Sequence, residues 1–548
     1  MNTCRDRLQH FFTRLLACTL LALPGATALA EDWIYTVRPG DNLWDLSETH
    51  LTSMKYWQPL QRHNNLTDPL HILPGSRLKF PVAWLKHQPS AATVVQLQGA
   101  ARLISGADGS SKPLGVNTRL FSGDTVQTGP DSNLSIRFAD GSELLVLSGS
   151  EVVMDSLSAY GVTGMVDTRV RLQGGRVDTR VQPSEGPGSR YHIITPAAVA
   201  AVRGTQFRVS ADTDRPVARS EVIEGKVGVS GAGARQLVRA GFGTVAAAGR
   251  PPQPPRKLLP APDLTPLPAL LDRLPLQFNW VNVDHAAGYR YQIAADKRFD
   301  LLLADGTSRQ AAATADLPDG DYVLRVRAID QDRLEGLDAL RSFHVDARPV
   351  PPVLIGLGNG TLIRDPQPGF SWSTTATDTG WHFQLARTAD FKDLVADQPD
   401  LDKPRYQPSQ PLAEGDYFWR VATIQDKTDT GPFSDTQDFT FRALPPGPNL
   451  APPEIGEHEM VFHWQAVAGA AQYHFQLAAD LDFEDIVSEQ TVSEPHAVIV
   501  RPIPERYYFR ARTVDARGDA GPFGVTYEVS VPPTSYWPFL MVFFPLLL

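Results

Sequence analysis

Three tryptophans, Trp280, Trp372 and Trp464, stand 92 residues apart, and Phe299, Phe391 and Phe483 repeat the same interval. A fixed period means one structural unit used three times. A period near 92 is too long for a short solenoid repeat and suits a small β-sandwich. Between the markers run Tyr289-Arg290-Tyr291-Gln292-Ile293-Ala294, His382-Phe383-Gln384-Leu385-Ala386 and Tyr473-His474-Phe475-Gln476-Leu477-Ala478. Their alternation of apolar and polar residues predicts strands with one buried face. Proline clusters at 251–268, 348–352 and 444–453 separate the copies, and the first should be extended and semi-rigid.

Each copy carries a second pattern. Residues 317–328 read Leu-Pro-Asp-Gly-Asp-Tyr-Val-Leu-Arg-Val-Arg-Ala, and residues 412–421 repeat it around Tyr417. Residues 503–513 keep Tyr507 or Tyr508 but lack the glycine. This resembles the tyrosine-corner strand of fibronectin type III-like domains, which implies three sandwiches at 273–347, 353–443 and 454–531. In such a fold the tryptophan fills space between two sheets and the tyrosine hydroxyl pins a loop. Core packing is the expected role of these aromatics, with carbohydrate stacking as the alternative.

A chain of 548 residues exceeds what one hydrophobic core supports, so several domains are expected. The N-terminus has the three parts of a secretory signal: Arg5, Arg7 and Arg14, an apolar run over 15–23, and Ala28-Leu29-Ala30 as a cleavage site. The apolar run is shorter than the roughly 20 residues that span a bilayer. Residues 1–30 are therefore read as a signal peptide; Leu15-Leu16-Ala17-Cys18 offers a competing, loose lipobox. Cys4 and Cys18 are the only cysteines, so cleavage removes both. A mature chain without thiols has no disulfide, thiolate zinc site or cysteine nucleophile. The formal charge of −10 disfavours nucleic acid and anionic lipid, which need a basic footprint.

Residues 35–46, Tyr-Thr-Val-Arg-Pro-Gly-Asp-Asn-Leu-Trp-Asp-Leu, read as a strand, a turn and a helix start. Asp41 or Asn42 can cap that helix. A second helix is expected over about 54–63, with Pro59 tolerable in its first turn or at a bend. Ile72-Leu73-Pro74-Gly75-Ser76-Arg77-Leu78-Lys79-Phe80-Pro81 closes the unit with a turn and a strand. The order and both end motifs resemble a LysM module, here over 33–82. The resemblance implies a shallow groove for N-acetylglucosamine-containing glycans, formed by Gly40, Asp41, Asn42 and Leu43 with Pro69, Leu70, His71, Ile72 and Leu73. Short polar groups there can bond N-acetyl and hydroxyl groups while apolar faces pack on sugar rings. Asn42 stands where the family has Thr or Ser, which puts affinity in question. Capping alone is the other reading of Asp41 and Asn42. Leu43 and Trp44 are expected in the core, and His71 in solvent.

Residues 92–248 are Gly-rich, with short alternating runs between turn signals such as Gly123-Asp124, Asp140-Gly141, Gly174-Gly175 and Glu224-Gly225. An all-β roll or solenoid is expected. Thr195-Pro196-Ala197-Ala198, followed by Val202-Arg203-Gly204-Thr205-Gln206-Phe207, resembles the core of FecR-type domains, and further motifs follow that family's order. In that family the domain relays a receptor signal across a membrane. A cleavable signal here occupies the place of the cytoplasmic segment, so only a protein-contact role carries over. Arg203 is read as a buried hydrogen-bonding residue or a partner contact.

No nucleophile elbow, zincin, P-loop or dinucleotide motif occurs, and the thirteen histidines lack ligand spacing. No catalytic residue, metal or cofactor is expected. The fold class is thus multidomain and mainly β: a βααβ module, an all-β domain, a Pro-rich linker over 249–272, three sandwiches and an apolar tail over 532–548. That tail is too short and proline-rich to span a bilayer as a regular helix. The expectation is an exported, peptidoglycan-associated protein of the periplasm or cell envelope, without enzymatic activity, scaffolding contacts to an envelope protein. The alternatives are a sensor that reports envelope state to a membrane partner, and a peptidoglycan hydrolase.

Overall fold

The computed structural model describes residues 31–183, 186–425 and 429–533. The expected signal peptide, Cys4, Cys18 and nearly all of the apolar tail lie outside them. The described chain is dominated by strands, and it divides into two compact units, 1–346 and 347–548. No helix among the described residues is long and apolar enough to cross a membrane.

The N-terminal module folds in the order strand, helix, helix, strand. Strands Asp32–Thr36 and Arg77–Pro81 pair antiparallel, with Trp33 opposite Phe80. Between them lie helices Leu43–His50 and Trp57–His63. A single 3-10 turn, Met54–Tyr56, precedes the second helix. Pro59 therefore falls in the first α-helical turn, where its missing N–H costs nothing. Leu43, Leu46, Leu60, Leu78 and Phe80 form the module's core, and Tyr160 and Met165 of the central domain complete it. The module is seated on that domain through shared apolar packing.

In the central domain the strand pairings close into a barrel around one apolar core, which realises the roll of the two architectures expected. Strand Val166–Arg180 belongs to both of its faces. Residues 166–174 pair with Glu151–Ala159, and 175–180 pair with Glu143–Val146 and Gln206–Ala211. Gly174-Gly175 therefore marks no turn. It sits mid-strand, where the chain passes from one face to the other. Gly175 has φ +95°, and a Cβ there would meet the Ser150 backbone at 2.5 Å, so only glycine permits the passage.

The proline-rich connector is extended as expected, but it is packed rather than free. Residues Arg256–Lys257 add to a barrel strand, and Leu258, Leu264 and Leu267 are buried.

Each repeat is a two-sheet sandwich. The larger sheets are built on Gly288–Ala294 with Gly320–Ile329, Gly380–Ala386 with Gly415–Gln425, and Ala470–Ala478 with Arg506–Asp515. Trp280, Trp372 and Trp464 are buried between sheets, so core packing is their role. The corner hydroxyls donate four residues back: Tyr322 to the Pro318 carbonyl at 2.9 Å, Tyr417 to Ala413 at 2.5 Å, and Tyr507 to Ile503 at 3.1 Å. Of the two candidates in the third repeat, Tyr507 fills the corner.

Candidate functional site

At the N-terminal module the two loops implied as a groove lie side by side. The Leu43 N–H donates to the Pro69 carbonyl at 2.8 Å, and Val37 and Gly75 are joined by a further backbone bond. Gly40 turns the first loop with φ +92°. Asn42 caps the first helix, its Oδ1 accepting from the Asp45 N–H at 2.9 Å while its Nδ2 donates to the Asp45 carboxylate at 2.7 Å. Both ends of the Asn42 amide are thus engaged within the module. Asp41 accepts from the Tyr35 hydroxyl and from the Arg38 N–H, each at 2.7 Å, which fixes the loop. Burial, with this bond to Asp41, raises the Tyr35 hydroxyl above its usual range.

The apolar residues divide clearly. Leu43 and Ile72 are buried and hold the loops to the core. Leu70 and Leu73 are 62% and 76% exposed, so they are free to meet a ligand. His71 is solvated as expected and pairs with Asp68, whose carboxyl is lowered by the Leu70 N–H and then by His71. Trp44 departs from expectation: it is 48% exposed, resting edge-on against Trp57 at 5.7 Å. The helical spacing gives the reason, because Leu43 and Leu46 occupy the core face and position 44 falls off it.

In the central barrel the Thr195 hydroxyl accepts from the Ala198 N–H at 2.9 Å and donates to the Ala198 carbonyl at 2.8 Å, closing a tight turn. The adjoining Gly204 has φ +65°, with Pro183 too close for a Cβ. Arg203 is not buried. Its side chain is 56% exposed, near Glu31 and bonded to the Pro187 carbonyl.

Residues 35–81 match the model of the LysM domain, and residues 124–228 match that of the FecR protein family. The chain carries a LysM domain and a FecR domain. No curated protein matches it. Among solved structures, one described as a candidate anti-sigma factor from Parabacteroides distasonis is 16% identical with a TM-score of 0.21, over 24% of this chain and 59% of that one. The FN1-FN3 domains of chicken CNTN1 are 15% identical with a TM-score of 0.20, over 50% of this chain and 99% of that one. The chain thus spans less than two thirds of the first of these, and both likenesses are too slight to bear on the assignment. The two matched domain types are binding and regulatory rather than catalytic.

The FecR barrel has a second chemical feature, its seam with the first sandwich. Arg327 meets Glu335 at 2.8 Å and Asp178 of the barrel at 3.0 Å. Arg208 of the barrel meets Asp338 at 3.2 Å and donates to the Gly336 carbonyl at 2.7 Å. Arg176 of the barrel reaches Glu335 at 2.8 Å. Around the charges, Leu145 and Leu147 of the barrel pack on Ala294, Phe299, Leu302 and Val323. Burial alone would raise the Asp338 carboxyl, but Arg327 and Arg208 outweigh it and hold it at about 2. Glu221 goes the other way. Burial, against only partial compensation by Arg208 and with Glu335 beside it, lifts its carboxyl to about 7. Buried pairs of this kind are costly to break from one side, so barrel and sandwich are held as one body.

Proposed function

We propose that the protein is a non-enzymatic, peptidoglycan-binding protein of the cell envelope. Its LysM domain engages N-acetylglucosamine-containing glycan, while the FecR barrel and the sandwiches present surfaces to an envelope protein partner. The observation that carries this reading is the LysM match together with two adjacent loops whose Leu70 and Leu73 are exposed beside hydrogen-bonding backbone. Exposed aliphatic side chains at the edge of a polar groove suit the apolar faces of sugar rings. Asn42, already spent on the helix cap, supports the groove; Leu70, Leu73 and the half-exposed Trp44 supply contact area.

The test is retention of the purified mature chain on insoluble peptidoglycan. Leu73→Ala should weaken retention about tenfold, the effect of roughly 1.4 kcal/mol, with an unchanged melting temperature. Failure of the wild type to be retained refutes the assignment, and turnover of labelled peptidoglycan refutes the non-enzymatic part.

The FecR match and the apolar packing of the LysM domain on the barrel favour one second reading. In it, contact with the wall is relayed through the barrel to a membrane signalling partner. Crosslinking in cells that is lost on deleting 92–248 supports this relay.

A further inference from the structure

On one flank of the seam between barrel and first sandwich lies an open cleft of about 760 Å³, within the few hundred to a thousand Å³ usual for small-molecule sites. Six arginines line it against three aspartates, although the chain as a whole carries −10. The excess of guanidinium is local.

These arginines are of two kinds. Arg176, Arg219 and Arg290 form the inner wall and are fixed. Arg219 is held by both oxygens of Asp212 at 2.8 and 3.2 Å, Arg290 by Asp305, and Arg176 by Glu335 at 2.8 Å. Arg290 is 8% exposed, and its Nε is buried without an acceptor.

The outer arginines differ. Arg215, on the hairpin joining Gln206–Ala211 to Val217–Glu224, and Arg250, just beyond strand Phe242–Ala247, are exposed. Among the described residues neither guanidinium meets a carboxylate, whereas Arg333 at the same rim shares Asp212 at 3.3 Å. The aspartates do not cancel this surplus. Asp212 is taken by Arg219 and Arg333, and Asp332 by Arg256, which among the described residues leaves Asp214 alone without a guanidinium.

We propose that this cleft binds a multivalent oxyanion, a ligand with two or more carboxylate or phosphate groups bridged between Arg215 and Arg250 and the inner wall. Planar guanidinium forks match both groups in bidentate fashion, and a partly fixed array loses little entropy on binding. Because the cleft is made jointly by barrel and sandwich, the ligand would touch both domains. The site is independent of the LysM groove.

Calorimetric titration of the full mature chain with citrate and with pyrophosphate, at constant ionic strength and against chloride, tests the site. Saturable binding of citrate alone identifies a carboxylate ligand, and of pyrophosphate alone a phosphate one; either supports the proposal. Arg215→Ala and Arg250→Ala should each weaken binding about tenfold, in line with the loss of one charged hydrogen bond. Both residues are exposed, so melting temperatures should hold. Leu73→Ala in the LysM groove should leave the titration unchanged. Absence of binding by both anions overturns the proposal, as does a double variant Arg215→Ala/Arg250→Ala that binds like the wild type.

Discussion

The first and third sandwiches share one constellation and put it to different uses. In each, an arginine on the corner strand donates its Nε to a glutamine of the neighbouring strand at 2.9 Å: Arg325 to Gln292, and Arg510 to Gln476. In each, that arginine lies over a phenylalanine in a left-handed conformation, Phe299 or Phe483. The second sandwich repeats this with Gln384, Arg420 and Phe391. The difference lies sixteen residues after the corner tyrosine, where the repeats carry Asp338, Phe433 and Phe523 in turn. Phe433 and Phe523 cover the outer side of their own arginine at 4.1 Å. Asp338 instead pairs with Arg327 and with Arg208 of the barrel. Replacing one aromatic with a carboxylate has turned a self-covered face into a charged interface. Leu302, buried against the barrel, and its counterpart Leu394, 41% exposed, make the same point with an apolar residue.

The sharpest way to break this comparison is to remove a charge found only at the seam. Arg327→Leu leaves Asp178, Glu335 and Asp338 without a shared cation. Truncating one partner of a buried pair costs about 3–5 kcal/mol. Thermal unfolding of the chain should show the transition of the first unit lowered by about 5–8 °C, at roughly 1.5 °C per kcal/mol for a body of this size. Arg512→Leu at the matching position of the third sandwich should cost less than about 1 kcal/mol, since among the described residues Arg512 meets no carboxylate, donating to His474 and lying over the half-buried Phe523 ring at 4.7 Å. Equal losses for the two variants would show that the seam is no tighter than an ordinary sheet face.

Much of this is legible in the amino-acid sequence alone. The 92-residue period implies three sandwiches because a repeated Trp and Tyr mean repeated packing, and paired motifs at both ends define the LysM module. The seam is not legible. Arg208, Arg327, Glu335 and Asp338 are ordinary charged residues in sequence, and only the folded chain brings residues about 130 positions apart within 4 Å. A clue exists in the third position of Gly-Leu-Asp against Gly-Pro-Phe, but a single substitution between repeats has no meaning until its partner is known. Gly174-Gly175 misleads for a related reason: glycine signals backbone freedom, and that freedom is spent on a strand changing sheets. At the candidate groove of the LysM module the loops follow from the motif, whereas the exposure of Trp44 needs the helix phase.

A second test asks whether the seam responds to pH, as the other sandwiches should not. Glu221 titrates near 7 in the folded chain and near its usual lower value when unfolded. The folded state therefore binds more protons between these values, and the stability from this group is full below the unfolded value and falls as pH rises through 7. Glu221→Gln keeps an acceptor for the Glu335 N–H while removing the charge. The variant should melt a few degrees higher than the wild type at pH 8, on the order of 2 kcal/mol, and nearly with it at pH 5. Parallel melting curves for the two proteins across that range would place the burial of Glu221 outside the stability of the seam.

The smallest effect is expected where the comparison is most chemical. In the third sandwich Arg510 lies between Phe483 at 3.7 Å and Phe523 at 4.1 Å, so two ring faces hold one cation. Phe523→Leu retains most of the apolar cover and removes only the ring quadrupole, for a cost of about 0.5–1 kcal/mol at this half-exposed site. In an Arg510→Met background that cost should vanish, because no cation remains for the ring to hold. A double-mutant cycle on chemical denaturation of the second unit reads this coupling directly. A coupling near zero would mean that Phe523 serves as plain apolar cover. The exchange of Phe for Asp in the first sandwich would then have given up packing area alone, and the charged seam would have formed without any cation–π attraction being sacrificed to it.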